Sequence, residues 1–307
     1  MVLRLILTAC VALPLVMAAP AMAADNGPVV VGSKIDTEGA LLGQMILHML
    51  DANGFEVKDR TEFGPTPIVR KAITSGEIDI YPEYTGNGAF FFEDTDPAIW
   101  KDAEAAYEKV SALDYEKNKL VWLKPSPANN TWALAVRQDL ADSRNLDTLE
   151  DFAAYVNEGG EAMLAGCEEF VTRADALPAF EEAYGFDLKD EQMVVFSGCN
   201  TAQTEKAAAQ GTSGVNVAMA FGTDGALAAL GLKVLEDTKG VQPVYAPTPV
   251  VREAVLEKHP QIRDILAPVF ESLHQETLQQ LNAKIAVGGE SARNVALGYL
   301  QSQGFVN

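Results

Sequence analysis

Residues 79–92 read DIYPEYTGNGAFFF, a run that places aromatic side chains around a Tyr-Thr-Gly-Asn turn. The residues before the turn predict a strand over 78–81, so the turn follows the carboxyl end of a strand. Two interpretations of the aromatic side chains are open at this point. They either pack in a core, or form one wall of a pocket for a ligand that is attracted to π-electrons.

The segments on either side of this run repeat a strand-then-helix pattern. The predicted strands cover 28–32, 56–63 and 120–123, and the predicted helices cover 37–53, 67–75 and 96–115. The first helix is capped by Asp36 or Thr37 and closed by Gly54. Lys34 and the start of this helix therefore lie where open α/β sheets bind ligands.

A proline-marked break at Pro125-Ser126-Pro127 precedes a second series of the same kind. Its predicted strands cover 129–136, 162–165, 193–197 and 216–221, and its predicted helices cover 149–157, 174–184, 201–210 and a short segment after Gly225. The extended segment 244–251 predicts a return crossover, and 253–305 is helical in periodicity.

This order of elements predicts an α/β protein with two lobes, two hinge segments and a ligand cleft between the lobes. We assign residues 24–130 and 244–307 to lobe 1, and residues 131–243 to lobe 2. Such a cleft can close on a ligand.

The N-terminal segment 1–23 has the pattern of a cleaved secretory signal, with a basic residue, an apolar stretch and Ala21-Met22-Ala23 at its end. We expect a soluble, periplasmic protein that starts at Ala24. A lipoprotein-like run ends at Cys10, but its apolar region is too short to favour lipidation. No later run is long and apolar enough to predict a membrane span.

The mature chain has two cysteines, Cys167 and Cys199, each at the end of a strand-like run. In an oxidising compartment they form either a disulfide or a pair of buried thiols, and the sequence leaves both alternatives open.

Composition and motifs argue against several classes of function. The 307 residues are 48% hydrophobic and 21% charged, which is typical of a globular protein. The net charge of −20 disfavours nucleic acid and anionic membranes as partners. The three histidines are far apart in sequence, and no phosphate loop, dinucleotide fingerprint or nucleophile elbow is present. We therefore expect no enzyme, cofactor or metal site, and interpret the carboxylates as solvated residues on helix faces.

Several runs, in the same order, resemble the substrate-binding proteins of ABC importers for glycine betaine, choline and related osmoprotectants. They are residues 31–34, 79–86, 129–136, 169–175, 223–225 and 243–252. Three of the sequence motifs most resemble one branch of that family, namely GSKIDTEGALLG, DIYPEYTGNGAFFF and PANNTW. The resemblance implies a type II periplasmic binding fold that closes on a ligand without catalysis and delivers it to a permease.

In the binding proteins that this chain resembles, an aromatic cage holds the quaternary ammonium group of the ligand, and basic or polar groups hold its carboxylate. The implied ligand-binding residues are Lys34, Tyr84, Asn87, Asn130, Trp132, Arg173, Phe221, Thr223 and Tyr245. Lys34 and Arg173 correspond to the carboxylate contacts, and Tyr81 to an aromatic side chain behind the cage. Asn87 stands where relatives often have threonine. Trp132 and Phe221 stand where several relatives have tyrosine, which keeps the ring faces but removes two hydroxyls.

The sequence therefore predicts a monomeric binding protein for glycine betaine, with choline as the second ligand. Another small zwitterion, such as ectoine or an amino acid, is the alternative within the same class. From other classes, an exported enzyme and a ligand-sensing subunit of a receptor are the alternatives. In this interpretation Tyr84 and Asn87 contact the ligand, while Phe90, Phe91 and Phe92 pack behind the turn.

Overall fold

The fold consists of two five-stranded sheets, as seen in a computed structural model that describes residues 27–93, 95–227 and 229–307. The predicted signal over 1–23 lies outside the described residues. The first sheet has the order β2-β1-β3-β10-β4 and the second the order β7-β6-β8-β5-β9. The strands are β1 Val29–Lys34, β2 Val57–Gly64, β3 Ile80–Tyr84, β4 Leu120–Trp122, β5 Trp132–Arg137, β6 Leu164–Cys167, β7 Met193–Phe196, β8 Val217–Phe221, β9 Leu232–Val234 and β10 Pro247–Arg252.

Helices cover the faces of both sheets. They are α1 Thr37–Ala52, α2 Thr66–Ser75, α3 Gly88–Phe91, α4 Ala103–Asn118, α5 Gln138–Arg144, α6 Leu149–Asn157, α7 Glu168–Thr172, α8 Leu177–Tyr184, α9 Thr201–Gln210, α10 Glu253–Lys258, α11 Ile262–Ser272, α12 Gln275–Ala286 and α13 Ala292–Ser302. The α/β prediction is confirmed, and α6 and α9 have the predicted bounds. None of the described helices is long and apolar enough to cross a membrane.

Helix α1 forms the centre of the first lobe because it is buried on almost every side. The carboxylate of Asp36 caps it by accepting a hydrogen bond from the Gly39 amide at 2.7 Å. Apolar side chains such as Leu41 and Met45 are fully buried between the first sheet and the C-terminal helices. A helix that is apolar on most sides is expected to lie inside a protein, and this one does.

Four predicted elements differ from the structure in their bounds or type, and a proline or close packing explains three of the differences. The helix predicted over 96–115 begins as a 3-10 turn, Pro97–Lys101, and α4 starts separately behind the Asp102 cap. The helix predicted over 174–184 starts later than predicted, because α8 begins at Leu177 with Pro178 in its first turn. The described residues after Gly225 form turns, because Gly225 packs directly against the Gln279 carbonyl of α12. Strand β3 extends to Tyr84, three residues beyond the predicted end.

The two crossover segments lie side by side between the sheets. The Ser126 amide donates to the Pro247 carbonyl at 2.8 Å, and the Asn130 amide donates to the Tyr245 carbonyl at 2.9 Å. The side chain of Asn129 accepts from the Tyr245 amide at 2.8 Å. Strands up to β4 and strand β10 form the first sheet, and β5 to β9 form the second. The lobe limits at 130/131 and 243/244 stay a prediction.

Candidate ligand-binding site

A small cavity of about 30 Å³ lies between the two sheets, at the ends of β1, β3, β5 and β8. The structure brings seven of the nine predicted residues to its wall, while Arg173 and Thr223 are not part of it. The predicted residues on the wall are Lys34, Tyr84, Asn87, Asn130, Trp132, Phe221 and Tyr245. The wall also includes side chains that were not predicted, namely Ile35, Asp36, Pro65, Thr66, Glu169 and Cys199.

Two of the aromatic side chains come from neighbouring strands of the second sheet. Trp132 and Phe221 are directly opposite each other in the antiparallel β5–β8 pair, with ring centroids 4.6 Å apart and ring planes at 40°. Cross-strand partners on one face of a sheet approach closely, which explains this contact. Phe170 of α7 packs against Trp132 at 5.1 Å, and sequence reasoning missed it.

Tyr84 and Tyr245 supply the aromatic wall on the side of the first sheet. Tyr84 ends β3, and Tyr245 lies on the return crossover; both side chains are buried. Gly86 allows these segments to approach each other, because a β-carbon there would lie 2.8 Å from the Tyr245 ring and 2.9 Å from the Val244 carbonyl. The turn at the start of the 79–92 run is therefore required for the position of Tyr245.

Lys34 lies in the cavity wall, but its ammonium group already has partners. Its Nζ is 2.6 Å from Glu83 Oε1 and 4.6 Å from the centroid of the Tyr84 ring. Glu83 is fully buried and also accepts a hydrogen bond from Asn87 Nδ2 at 2.7 Å. The protein's own cation thus lies over the face of Tyr84, which shows that this face attracts positive charge.

Arg173 lies between the inner cavity and a larger outer cleft of about 950 Å³, and it lines the outer cleft. Its guanidinium group forms two hydrogen bonds with Asp175, at 2.9 and 2.6 Å, and a third with Glu169 at 2.8 Å. It also donates to Asn87 Oδ1 at 3.0 Å, which links the second lobe to the first. The side chain is 7% exposed.

Phe90 packs against Phe91, with ring centroids 5.9 Å apart, but it also faces the outer cleft, which was not predicted. Phe90 lines the outer cleft, with the Arg173 guanidinium 4.4 Å from its ring centroid. Phe91 and Phe92 do pack against a core cluster, as predicted. Tyr81 belongs to the same cluster and does not line the cavity, but its hydroxyl donates to Glu83 Oε2 at 3.1 Å.

Asn130 and Thr223 both lie close to a carboxylate that sequence reasoning missed. Asn130 Nδ2 donates to Glu38 Oε1 at 2.9 Å, and the Tyr84 hydroxyl donates to the same oxygen at 3.0 Å. The other oxygen of Glu38 accepts from Asn282 Nδ2 at 2.8 Å, and this amide also donates to the Thr223 carbonyl at 3.1 Å. Thr223 is therefore buried behind the cavity.

The expectation that carboxylates lie on solvated helix faces is wrong for Glu38. Glu38 follows the cap of α1, and this position alone does not distinguish a buried carboxylate from an exposed one. Burial raises its pKa to about 7, although the surrounding hydroxyl and amide donors oppose this rise. Burial also raises the pKa of Asp36, against the effect of nearby Lys34, and raises the pKa of Tyr84 well above its usual range.

A second buried carboxylate pair lies behind Phe221. Asp224 accepts hydrogen bonds from the Phe221 amide at 2.6 Å and from the Thr201 hydroxyl at 3.0 Å. Burial raises the pKa of both carboxyl groups, and the charge of Asp224 adds to the rise at Glu205. Through its hydrogen bond with the Phe221 amide, Asp224 fixes the backbone at the end of β8.

A disulfide joins Cys167 and Cys199, which decides between the two alternatives left open by the sequence. Their Cα atoms are 5.0 Å apart, and 32 positions separate them in the chain. Cys167 ends β6 and caps α7, and Cys199 lines both the inner cavity and the outer cleft. The bond therefore fixes α7, with Glu169 and Phe170, beside the cavity. Among the described residues, no group of three or more His, Cys, Asp or Glu is arranged to hold a metal ion.

Two α/β lobes around a small aromatic cavity define a protein that binds a small solute between its lobes. Residues 27–302 match the family OpuAC, described as the substrate binding domain of ABC-type glycine betaine transport system. The chain belongs to this family, as its sequence motifs indicated, and its class is that of a substrate-binding protein rather than an enzyme.

The relatives include the glycine betaine-binding protein YehZ of Escherichia coli K12, which is 58% identical over 98% of this chain and 96% of that protein. A glycine-betaine-binding protein of Pseudomonas aeruginosa is 32% identical over 97% of this chain and 94% of its own length. A solved structure of apo YehZ from E. coli has a TM-score of 0.67 and 60% identity, and covers 91% of this chain and 99% of its own.

Proposed function

We propose that this protein captures a small quaternary ammonium solute, with glycine betaine as the principal ligand, and delivers it to the permease of an ABC importer. The main supporting observation is the inner cavity, where Tyr84, Trp132, Phe221 and Tyr245 meet between the lobes. The predicted signal over 1–23 supports a periplasmic location, in which the protein acts as a monomer.

The chemistry of a quaternary ammonium group fits this wall. Such a group has no N–H to donate, and its charge is spread over methyl groups, so aromatic faces are its best partners. Each desolvated ring contact contributes up to about 2 kcal/mol, and neighbouring rings do not simply add. Ring faces are present on both sides of the cavity because Tyr84 comes from the first sheet and Trp132 from the second.

The charges around the cavity also favour a cationic group. Asp36 and Glu169 line it, and Glu38 and Glu83 lie directly behind it. The basic groups close to it are Lys34 and Arg173, and both are paired with carboxylates. A buried excess of carboxylates stabilises a bound cation, because the local dielectric is low.

The volume of the cavity indicates that the lobes separate when ligand enters. About 30 Å³ corresponds to a single water molecule, which is too small for a trimethylammonium group. The Arg173–Asn87 bond at 3.0 Å and the Thr37–Asn200 contact at 3.5 Å join the two lobes across the cleft. We therefore propose that these contacts break on opening, and that ligand contacts from both lobes stabilise the closed state.

Choline is the second candidate, because one observation favours it. The two groups expected to hold the betaine carboxylate already have anionic partners, Glu83 for Lys34 and Asp175 with Glu169 for Arg173. Glycine betaine must displace or share these partners, whereas choline has no carboxylate to place. The charged surroundings thus fit a simple cation at least as well as a zwitterion.

Titration calorimetry on the mature protein with glycine betaine, choline, tetramethylammonium, ectoine and proline tests the proposal. We expect glycine betaine to bind most tightly and choline and tetramethylammonium to compete with it for one site. Binding of ectoine or proline without any quaternary ammonium compound would contradict the proposal. Turnover of a bound ligand would instead indicate an enzyme, and a receptor kinase encoded beside the protein would indicate a sensor.

A further inference from the structure

Glu38 is the only described carboxylate that bonds a cage tyrosine, a crossover amide and helix α12 together. Its Oε1 accepts from the Tyr84 hydroxyl at 3.0 Å and from Asn130 Nδ2 at 2.9 Å, and its Oε2 accepts from Asn282 Nδ2 at 2.8 Å. The side chain is 4% exposed. No basic side chain forms an ion pair with it among the ion pairs of the described residues.

This arrangement connects the cavity with both lobes. Tyr84 belongs to the first sheet, and Asn130 to the first crossover segment. Asn282 lies on α12 and also donates to the Thr223 carbonyl, which follows β8 of the second sheet. A carboxylate that holds all three donors therefore fixes the orientation of the cavity wall relative to the hinge.

The charge of Glu38 acts directly on the ring that faces the ligand. A phenol that donates to a carboxylate has a more electron-rich ring, and the face of that ring attracts cations more strongly. The ammonium group of Lys34, 4.6 Å from the Tyr84 centroid, already lies over this ring. A carboxylate in a buried site also acts on a cation over several ångströms with little screening.

The other ionisable groups near Glu38 come from few elements. Asp36 precedes it on the same helix, Lys34 ends β1, and Tyr84 comes from β3. Asp224 lies in the loop after β8 and interacts with Asp36. The crossover and α12 contribute neutral amides, and on α13 Arg293 interacts with His48, farther along α1. Glu38 is thus the described acid that accepts a hydrogen bond from the hydroxyl of a cage tyrosine.

We propose that Glu38 is a positioning and specificity residue that must be ionised for the cage to bind a cation, so that ligand binding is linked to the release of one proton. This inference rests on the proposed function, since it concerns the same cavity. The ionised carboxylate holds the Tyr84 and Asn130 donors and supplies the charge behind the ring. When the carboxyl group is protonated, one of its oxygens becomes a donor and the negative charge is lost.

The direction of the pH dependence follows from burial. Because the pKa of Glu38 is about 7 in the folded protein, part of the population carries the proton at neutral pH. A bound cation stabilises the ionised form, so affinity rises as pH increases from 5.5 to 8 and levels off above that range. One linked proton gives at most about a tenfold change in affinity per pH unit.

The test compares Glu38→Gln with a matched control, Glu104→Gln. Glu104 occupies the same position in α4 as Glu38 in α1, the second residue after an aspartate cap in a helix of 16 residues, but it is exposed. Glutamine keeps an acceptor for Tyr84 and Asn130 and removes the charge.

The probes are tetramethylammonium and choline, which do not titrate in this pH range, followed by glycine betaine. We expect wild type and E104Q to bind about tenfold more tightly at pH 8 than at pH 5.5. At pH 5.5 we expect E38Q to bind with the same affinity as wild type. At pH 8 we expect E38Q to bind about tenfold more weakly than wild type. Calorimetry at pH 7 in buffers of different ionisation enthalpy should show proton release for wild type and none for E38Q.

Stability of the ligand-free protein provides a separate readout. The folded state keeps a proton on Glu38 that the unfolded chain releases above pH 4.5, so stability falls as pH rises from 4.5 to 7. E38Q mimics the protonated form and should have a higher urea midpoint than wild type at pH 8, although it binds ligand more weakly. If the role of Glu38 were purely structural, E38Q would instead have both a lower urea midpoint and a lower affinity for ligand than wild type.

Several outcomes would overturn this inference. They are equal affinities of E38Q and wild type at pH 8, a pH dependence that persists in E38Q, or the absence of proton release from wild type. If wild type binds none of the three probes, the proposed function fails as well. If wild type binds them but E38Q shows the same pH profile, only the inference about Glu38 fails.

Discussion

Two spaces lie between the lobes, and they differ in size, chemistry and access. The inner cavity of about 30 Å³ is enclosed by aromatic side chains with buried carboxylates behind them. The outer cleft of about 950 Å³ is lined by prolines, Phe90 and carboxylates such as Glu93 and Glu182. Arg173 separates the two spaces, because it lines the outer cleft and bonds Asn87 on the inner side.

The difference shows that the larger space is not the better candidate for the ligand. A solute in the outer cleft contacts water and charges that solvent screens, whereas a cation in the inner cavity meets ring faces and buried carboxylates. In the proposed mechanism the inner cavity admits the ligand when the lobes move apart, which is consistent with its small volume.

The largest expected effect concerns the disulfide at the border of the two spaces. Replacing both cysteines, as Cys167→Ser with Cys199→Ser, should lower the free energy of unfolding by about 3.7 kcal/mol, because a closed loop of about 33 residues is opened. Urea unfolding followed by circular dichroism measures this change. A loss below about 1 kcal/mol would show that the disulfide contributes little to the free energy of unfolding, and that packing alone holds this region together.

The next effect distinguishes the inner cavity from the outer cleft directly. Tyr84→Ala should weaken glycine betaine binding at least about 100-fold, or about 2.7 kcal/mol, because the ring face is lost and Glu38 loses a donor. Phe90→Ala removes an aromatic ring from the outer cleft and should change affinity less than about threefold. Calorimetry on both variants provides the comparison. Similar losses in the two variants would mean that the outer cleft takes part in binding.

Much of the fold was predictable because it depends on local patterns. The alternation of strands and helices indicated two α/β units. The proline break before Ala128 and the return segment near Tyr245 indicated the two crossovers. Element bounds were wrong where tertiary contacts decide them. For example, Gly225 packs against α12, and this contact explains why turns replace the predicted helix there.

The candidate site was predictable only in part. The resemblance to the family indicated the residues of the cavity wall, but it did not indicate the groups behind them. Glu38 and Glu83 gave no distinct signal, since burial of a carboxylate depends on which helices and strands cover it. The position of Phe90 at the outer cleft was also not predicted, because the direction of a side chain after a turn follows from tertiary packing.

The smallest of these effects tests Arg173, which lies between the two spaces. Arg173→Ala should weaken glycine betaine binding about tenfold more than choline binding, a difference of about 1.4 kcal/mol, if the guanidinium group contacts the ligand carboxylate. Its present bonds to Asp175 and Glu169 must then rearrange when the carboxylate binds. If the main role of Arg173 is to hold the lobes together through Asn87, both ligands will lose affinity equally. Calorimetry with the two ligands on one variant preparation separates these roles, and equal losses would remove the carboxylate contact while leaving the aromatic cavity as the binding site.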